Sequence, residues 1–380
     1  MVSLRRLAGF LLLSLMFASC GGGGQRASST ATNTRGSSPA AGRDLARALD
    51  AELARRVRDT GVPGAASALV VHGRLMWSGG AGMADLRARR PMTARTPVYF
   101  ASVGKTVTAA VALRLAEQRR LSLDDPLRRW VPEWHGPRTV TLRRLLSHTS
   151  GVHDPNEAFF EANFLHPARR YTPSDWIAHL PPPDSHPARN PGYDNVNFVL
   201  AGLAMRRAAG PEWAHVRHEV APQLVLQPDE RVRGAAAQSY VYPNGAGDPR
   251  VYGDRSRYLP STSVATAAWT AGAWAGATQA LALWANRLFS GHILRPASLR
   301  QMTTFRAGAD MWGEYGLGLA RRLEGGGQEV WGHTGDGPGL HAELWHLQRR
   351  DLTLFSVWND DIIDTPTLQR GLLNTALAHL

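Results

Sequence analysis

Strand-like sequence sits at the two ends of this 380-residue chain, and helical periodicity fills the space between. Near the start, AASALVVHGRLMWSGGAGMAD holds two apolar runs separated by His72-Gly73, the pattern of a hairpin. Near the end, EVWGHTGD, GLHAELWHLQ and DLTLFSVWND read as three consecutive strands, followed by a helix over about 365 to 379. Residues 120 to 300 read mostly as helix and loop, with a proline-rich passage, HLPPPDSHPARNPGYDN. The simplest assembly is one antiparallel sheet made from both termini and flanked by helices. The mostly helical subdomain is then an insert, giving an α/β (α+β) fold. Leu45, Leu49, Leu53 and Val57 recur every fourth residue as one apolar helix stripe, and Gly61 ends it. No internal repeat is present.

The formal net charge is +12. The basic residues come in ones and twos along the whole chain, with no block of five or six and no recognisable nucleic-acid module. This reads as arginine spread over solvated faces, with no nucleic-acid partner. Weak attraction to an anionic envelope is the most that the charge implies. The 14 histidines include His148, His153, His166, His179 and His186. They show no His-Glu-x-x-His and no common ligand spacing, so they read as surface and loop residues, and no metal or cofactor is expected. Trp269, Trp274 and Trp284 read as core.

The single cysteine, Cys20, permits no disulfide within the chain. It ends the segment MVSLRRLAGFLLLSLMFASC, where Arg5 and Arg6 precede an apolar run too short for a stable membrane span. The segment resembles a bacterial lipoprotein signal, which implies that Cys20 is lipidated and becomes the mature N-terminus. Phe17 stands where that pattern usually has leucine. An ordinary cleaved signal peptide is the other reading, and both imply export. Residues 21–42 are almost free of apolar bulk and read as a flexible tether with a reach of roughly 25 Å. The expected organisation is a signal peptide over 1–20, the tether over 21–42 and one folded domain over 43–380. The protein is then held by its lipid on the periplasmic side of the bacterial envelope.

Of the 43 basic residues, Lys105 alone is lysine. It stands three residues after Ser102 at a helix start, and residues at i and i+3 share a helix face. A serine hydroxyl is a weak nucleophile until a neighbouring base takes its proton. Lysine can be that base when desolvation lowers its pKa, whereas arginine stays protonated. The helix N-terminus also favours negative charge developing near the serine.

Three short motifs in order, Ser102-x-x-Lys105, Tyr193-x-Asn195 and His333-Thr334-Gly335, make the chain resemble the serine beta-lactamase and penicillin-binding-protein superfamily, and its class C-like branch in particular. LSLDDPLRRWVPEW, VTLRRLLSHTSGV and YGLGL are similar to family passages, so the resemblance runs from about 45 to 380. It implies a beta-lactamase/transpeptidase-like fold in which Ser102 forms an acyl-enzyme while Lys105 and Tyr193 share the proton work. It implies that Asn195 bonds the lysine or the substrate amide, and that the backbone N–H groups of Ser102 and Asp336 hold the oxyanion. His333, Thr334 and Gly335 then line the substrate site. The implied substrate is a small molecule or peptide: a peptidoglycan-like peptide, an ester or a beta-lactam. Loops 153–190 and 228–262 are expected to shape the pocket. Two departures stand out. Asp194 replaces a common serine and would hold Lys105 cationic if it pointed inward. His333 replaces the lysine of strong beta-lactamases, so capture of a substrate carboxylate is expected to be weaker and pH-dependent. A non-catalytic envelope-binding protein that retains the fold is the alternative reading.

Overall fold

The sheet closes through a pairing that joins the first strand to the last. A computed structural model describes residues 39–186, 192–242, 247–309, 313–324, 327–361 and 366–380. Strands β1 (Gly64–Val71), β2 (Arg74–Asp85) and β3 (Arg90–Pro91) come from the N-terminal part. Strands β4 (Arg306–Ala309), β5 (Gly313–Tyr315), β6 (Ala320–Glu324), β7 (Gln328–Gly337), β8 (Leu340–Leu347) and β9 (Leu352–Trp358) come from the C-terminal part. Among the described residues they form one nine-stranded sheet in the order β3-β2-β1-β9-β8-β7-β6-β5-β4. β1 lies antiparallel to β9, with Ala65 opposite Trp358 and Val71 opposite Leu352. The expected hairpin at His72-Gly73 and the three C-terminal strands are all present.

Both faces of the sheet are covered. Side chains alternate across a strand, so Ala65 and Leu69 face one core while Ala66, Ala68 and Val70 face another. Helices α1 (Pro39–Thr60) and, at the far end of the chain, Pro366–His379 cover the first face. The predicted stripe of Leu45, Leu49, Leu53 and Val57 is buried there; each such side chain stabilises the fold by roughly 2 kcal/mol. Helix α1 begins at Pro39 and so takes in the last residues of the segment read as a tether.

The second face carries the larger core and the helical insert. Helix α2 (Gly104–Glu117) runs through it with nearly every residue buried. Helices α3 (Val196–Ala209) and α4 (Thr262–Gly272) pack beside it. Trp269, Trp274 and Trp284 are buried, as the sequence suggested. Helix α4 is broken at Trp269, whose φ of 34° and ψ of −119° belong to a region that only glycine adopts easily. The carbonyls that follow the break turn toward α2 instead of continuing the helix. No described helix is long and apolar enough to cross a membrane. Cys20 and the segments 1–20 and 21–38 lie outside the described residues.

Candidate active site

Ser102 lies on a 3-10 turn, Ala101–Val103, that leads directly into α2. Ala101 has a φ of +46°, so the residue before the serine is held in a strained left-handed conformation. Strand β7 crosses this turn closely. A Cβ at Gly335 would lie 2.5 Å from the Phe100 carbonyl oxygen and 2.9 Å from the Ser102 amide nitrogen. Only glycine permits that approach, and it brings the third motif against the first.

Lys105 is completely buried one turn into the site. Its Nζ lies 2.9 Å from Ser102 Oγ, 2.8 Å from Asn195 Oδ1 and 2.9 Å from the carbonyl of Ala271, just past the α4 break. Burial pushes the Lys105 ammonium down to about 7, against the pull of the Asp154 carboxylate. The Ala271 carbonyl can only accept. Asn195 is oriented because its Nδ2 donates to Asp154 Oδ2 at 3.1 Å, which turns Oδ1 to the lysine. A neutral Lys105 therefore spends its two N–H groups on Ala271 and Asn195 and aims its lone pair at Ser102.

Tyr193 hydrogen-bonds Ser102, and Lys105 Nζ sits 4.9 Å from the centre of its ring. Burial raises its phenol pKa strongly, Ser102 counters this in part, and the Asp154 and Asp336 carboxylates raise it further. The phenol is thus held protonated. His148 grips the segment around it: its carbonyl accepts the Gly192 N–H at 2.8 Å, and its Nδ1 accepts the Asp194 N–H at 3.3 Å. The His148 ring packs 4.5 Å from the Tyr193 ring.

His333 is fully buried. Its Nε2 meets the Tyr315 hydroxyl at 2.9 Å and its Nδ1 meets the Thr334 carbonyl. Burial and then the Lys105 charge push its pKa down to about 3, so the ring is neutral. Thr334 is half-buried on β7. Asp336 follows at the rim, its carboxylate bonded to Nδ1 of buried His341. Asp336 and then the Glu343 carboxylate, 3.7 Å from Nε2, overcome burial and raise His341 to about 9.

The structure thus brings together Ser102, Lys105, Tyr193, Asn195, His333, Gly335 and Asp336. It corrects three expectations. Asp194 does not face Lys105: its carboxylate accepts the Asp154 N–H at 2.8 Å and pairs with His153 at 3.3 Å. The carboxylate that acts on the lysine is Asp154, which accepts N–H groups from Asn195 and Val196 at 2.9 and 2.7 Å. His148 lies in a loop as read, but it is a buried part of the site and not a surface residue. And His333, buried and neutral with both nitrogens engaged, offers no pH-dependent charge to a carboxylate. The sequence reading missed Asp154, Ala271 and Tyr315. Only Tyr315 carried a signal, through its place in YGLGL.

A family model described as Beta-lactamase matches residues 46–372. The chain belongs to the beta-lactamase family. Esterase EstB from Burkholderia gladioli is 38% identical over 115 residues, 28% of this chain and 29% of the esterase. A mitochondrial serine beta-lactamase-like protein, LACTB, from Bos taurus is 37% identical over 119 residues, 29% of this chain and 21% of the relative. The matched region is thus under a third of the length of these curated relatives. Among solved structures, a D-stereospecific amidohydrolase from Streptomyces sp. superposes with a TM-score of 0.71 at 25% identity, over 88% of this chain and 99% of that one. D-amino acid amidase from Ochrobactrum anthropi SV3 shares the fold, with a TM-score of 0.73 at 22% identity over 88% and 98%. This beta-lactamase-family chain thus has an esterase among its curated relatives and a D-stereospecific amidohydrolase among its structural neighbours.

Proposed function

We propose that the protein hydrolyses esters or amides through an acyl-enzyme on Ser102, with Lys105 as the base. The reading rests on the Lys105 ammonium site: fully buried, poised at about 7, and with only acceptors at its two other contacts. Neutral Lys105 takes the Ser102 proton as Oγ attacks the carbonyl carbon. The Ser102 and Asp336 backbone N–H groups receive the oxyanion, the first beside Gly335 and the second directly after it. Tyr193, a protonated phenol bonded to Ser102, passes a proton to the departing amine or alkoxide and is refilled from Lys105. Water then attacks the acyl group by the reverse route.

The substrate proposal follows from charge. Among the described residues, the charges that act on Tyr193 and His333 are Lys105, Asp154 and Asp336. The lysine is committed to Ser102 and the other two are carboxylates. Among the described residues, a substrate carboxylate beside β7 faces the Asp336 carboxylate, and the one imidazolium next to it, His341, is already engaged by Asp336 and Glu343. Esters and amides that are neutral or carry an amine there are therefore favoured over penicillins and peptides ending in a free carboxylate. The esterase and amidohydrolase relatives are consistent with this order.

Intact-mass spectrometry over time, with a nitrophenyl ester, D-phenylalanine amide, a penicillin and a D-Ala-D-Ala peptide, tests the reading. The expected result is transient acylation and turnover with the first two, lost in Ser102→Ala. Faster turnover of the penicillin or the peptide would overturn the substrate order. Absence of any adduct would favour the non-catalytic envelope-binding role. Export and lipidation at Cys20 belong to the same proposal. Cys20→Ser should move the protein from the membrane to the soluble fraction, and unchanged partitioning would refute the anchor.

A further inference from the structure

Away from the nucleophile, three loops carry arginines at the outer end of α4. Arg169 and Arg170 lie on one, Arg231 and Arg233 on the second, Arg255 and Arg257 on the third, and all six are exposed. The loops are tied to the fold and to one another. The Ser263 N–H donates to the Pro167 carbonyl and the Tyr171 N–H to Thr266 Oγ1, each at 2.9 Å. Buried Gln227 accepts the Leu259 N–H at 2.8 Å and donates to the Leu259 carbonyl at 3.1 Å.

Tyr258 sits where the loops meet. Arg170 and Arg231 both hydrogen-bond it, and their guanidinium carbons lie 5.9 and 5.5 Å from its ring centre. The two cations outweigh the effect of burial and lower the phenol pKa. Some arginines elsewhere are matched with acids, as in Arg55 with Glu52, Arg143 with Asp124 and Arg207 with Glu133; among the described residues, exposed Arg119 and Arg120 are not. None of these six pairs with a carboxylate of a described residue. Two guanidiniums beside one neutral phenol repel each other, and no carboxylate of a described residue pairs with either. An oxyanion with several acceptor oxygens satisfies both, through the paired N–H geometry that guanidinium offers to phosphate.

We propose that the Arg170–Arg231–Tyr258 cluster binds a phosphate group, at a site separate from the catalytic cluster. The phosphate belongs to a soluble phosphate ester or to the headgroup of an anionic lipid; the chemistry is shared. Helix α4 links this site to the other: loops docked at its outer half carry the arginines, and the carbonyl past its break holds Lys105.

The test uses the folded full-length domain with inorganic phosphate in calorimetry, at fixed ionic strength. A parallel arm uses sedimentation with vesicles of phosphatidylglycerol in phosphatidylcholine. The Arg170→Gln/Arg231→Gln variant is compared with wild type and with Arg119→Gln/Arg120→Gln, an exposed pair elsewhere that removes the same net charge. Loss of two charge-assisted contacts is expected to weaken phosphate binding about tenfold or more in the first variant and to spare the control. Tyr258→Phe, which removes the shared oxygen, is expected to weaken it less. Saturable phosphate binding without selective vesicle binding identifies a soluble phosphate; vesicle binding lost only in the Arg170/Arg231 variant identifies the lipid. Equal losses in the two double variants, or no binding of phosphate or vesicles by wild type, would overturn the proposal.

Discussion

Replacing Asp154 by asparagine tests the proposed base where its setting is most exposed to change. Asp154 reaches the lysine through Asn195, by hydrogen bonds of 3.1 and 2.8 Å. With the amide between them, the two charges lie at most about 8 Å apart; at an effective dielectric of about 20 their attraction is about 2 kcal/mol. That attraction favours charged Lys105, so its loss makes the amine neutral at lower pH. If neutral Lys105 is the base, the rise of kcat/KM with pH moves down from about 7; the displacement is about 1 to 1.5 pH units. Structure is lost as well. Asp154 accepts three N–H groups, and an asparagine amide must turn its own NH2 toward one of them. One unsatisfied donor costs about 1–3 kcal/mol of stability. The assay is nitrophenyl ester turnover from about pH 5 to pH 9, with thermal melting run beside it. An acid limb that stays in place or moves up, in a variant that remains folded, would refute Lys105 as the resting base.

Lys105→Arg should reduce turnover by at least about 1000-fold, since guanidinium cannot take a proton. Lys105→Met should melt higher than wild type in neutral solution, because it replaces a desolvated amine with an apolar chain. Gly335→Ala should cut kcat about 100-fold and cost about 1–3 kcal/mol, because its Cβ collides with the nucleophile turn; an unchanged kcat would mean that β7 is not held against Ser102. His341 is charged more readily in the fold than in the unfolded chain. Its pairing with Asp336 thus adds stability that is complete below about pH 6.5 and is lost as pH rises through about 9. His341→Gln should flatten that part of a stability-against-pH curve, and a curve parallel to wild type would contradict the pairing.

The architecture was legible because its elements follow plain periodicity. The stripe Leu45-Leu49-Leu53-Val57 and the apolar runs after Val330 announce a helix and strands whatever surrounds them. The catalytic candidates were legible for a different reason: three motifs in order, and a lysine kept where every other basic residue is arginine. What escaped is the orientation of short polar side chains. Asp154 and Asp194 are both carboxylates near Asn195, and nothing in spacing says which one turns inward. The answer depends on backbone N–H groups at the start of α3, where Asp154 caps Asn195 and Val196. Ala271 escaped because its contribution is a carbonyl freed by the break at Trp269, and a carbonyl has no residue type to read. His148 escaped because its burial depends on Tyr193, Phe198 and Tyr315, which come from distant parts of the chain.

The pairing of β1 with β9 has a consequence for how the chain reaches this state. During synthesis the first strand must wait for nearly 290 further residues before its neighbour exists, since Ser67 lies opposite Ser356. Until then β7 and β8 lack the strand that joins them to β1, and the sheet beside the nucleophile helix is incomplete. The sheet is thus closed by its final stretch, and a chain that ends before Leu352 keeps its three motifs but lacks the strand that joins the two parts of the sheet. The same closure places the described ends of the fold side by side, through contacts between α1 and the helix Pro366–His379. A permuted chain that joins them and opens at an exposed loop would test whether the late arrival of β9, rather than its position, sets the pace of folding.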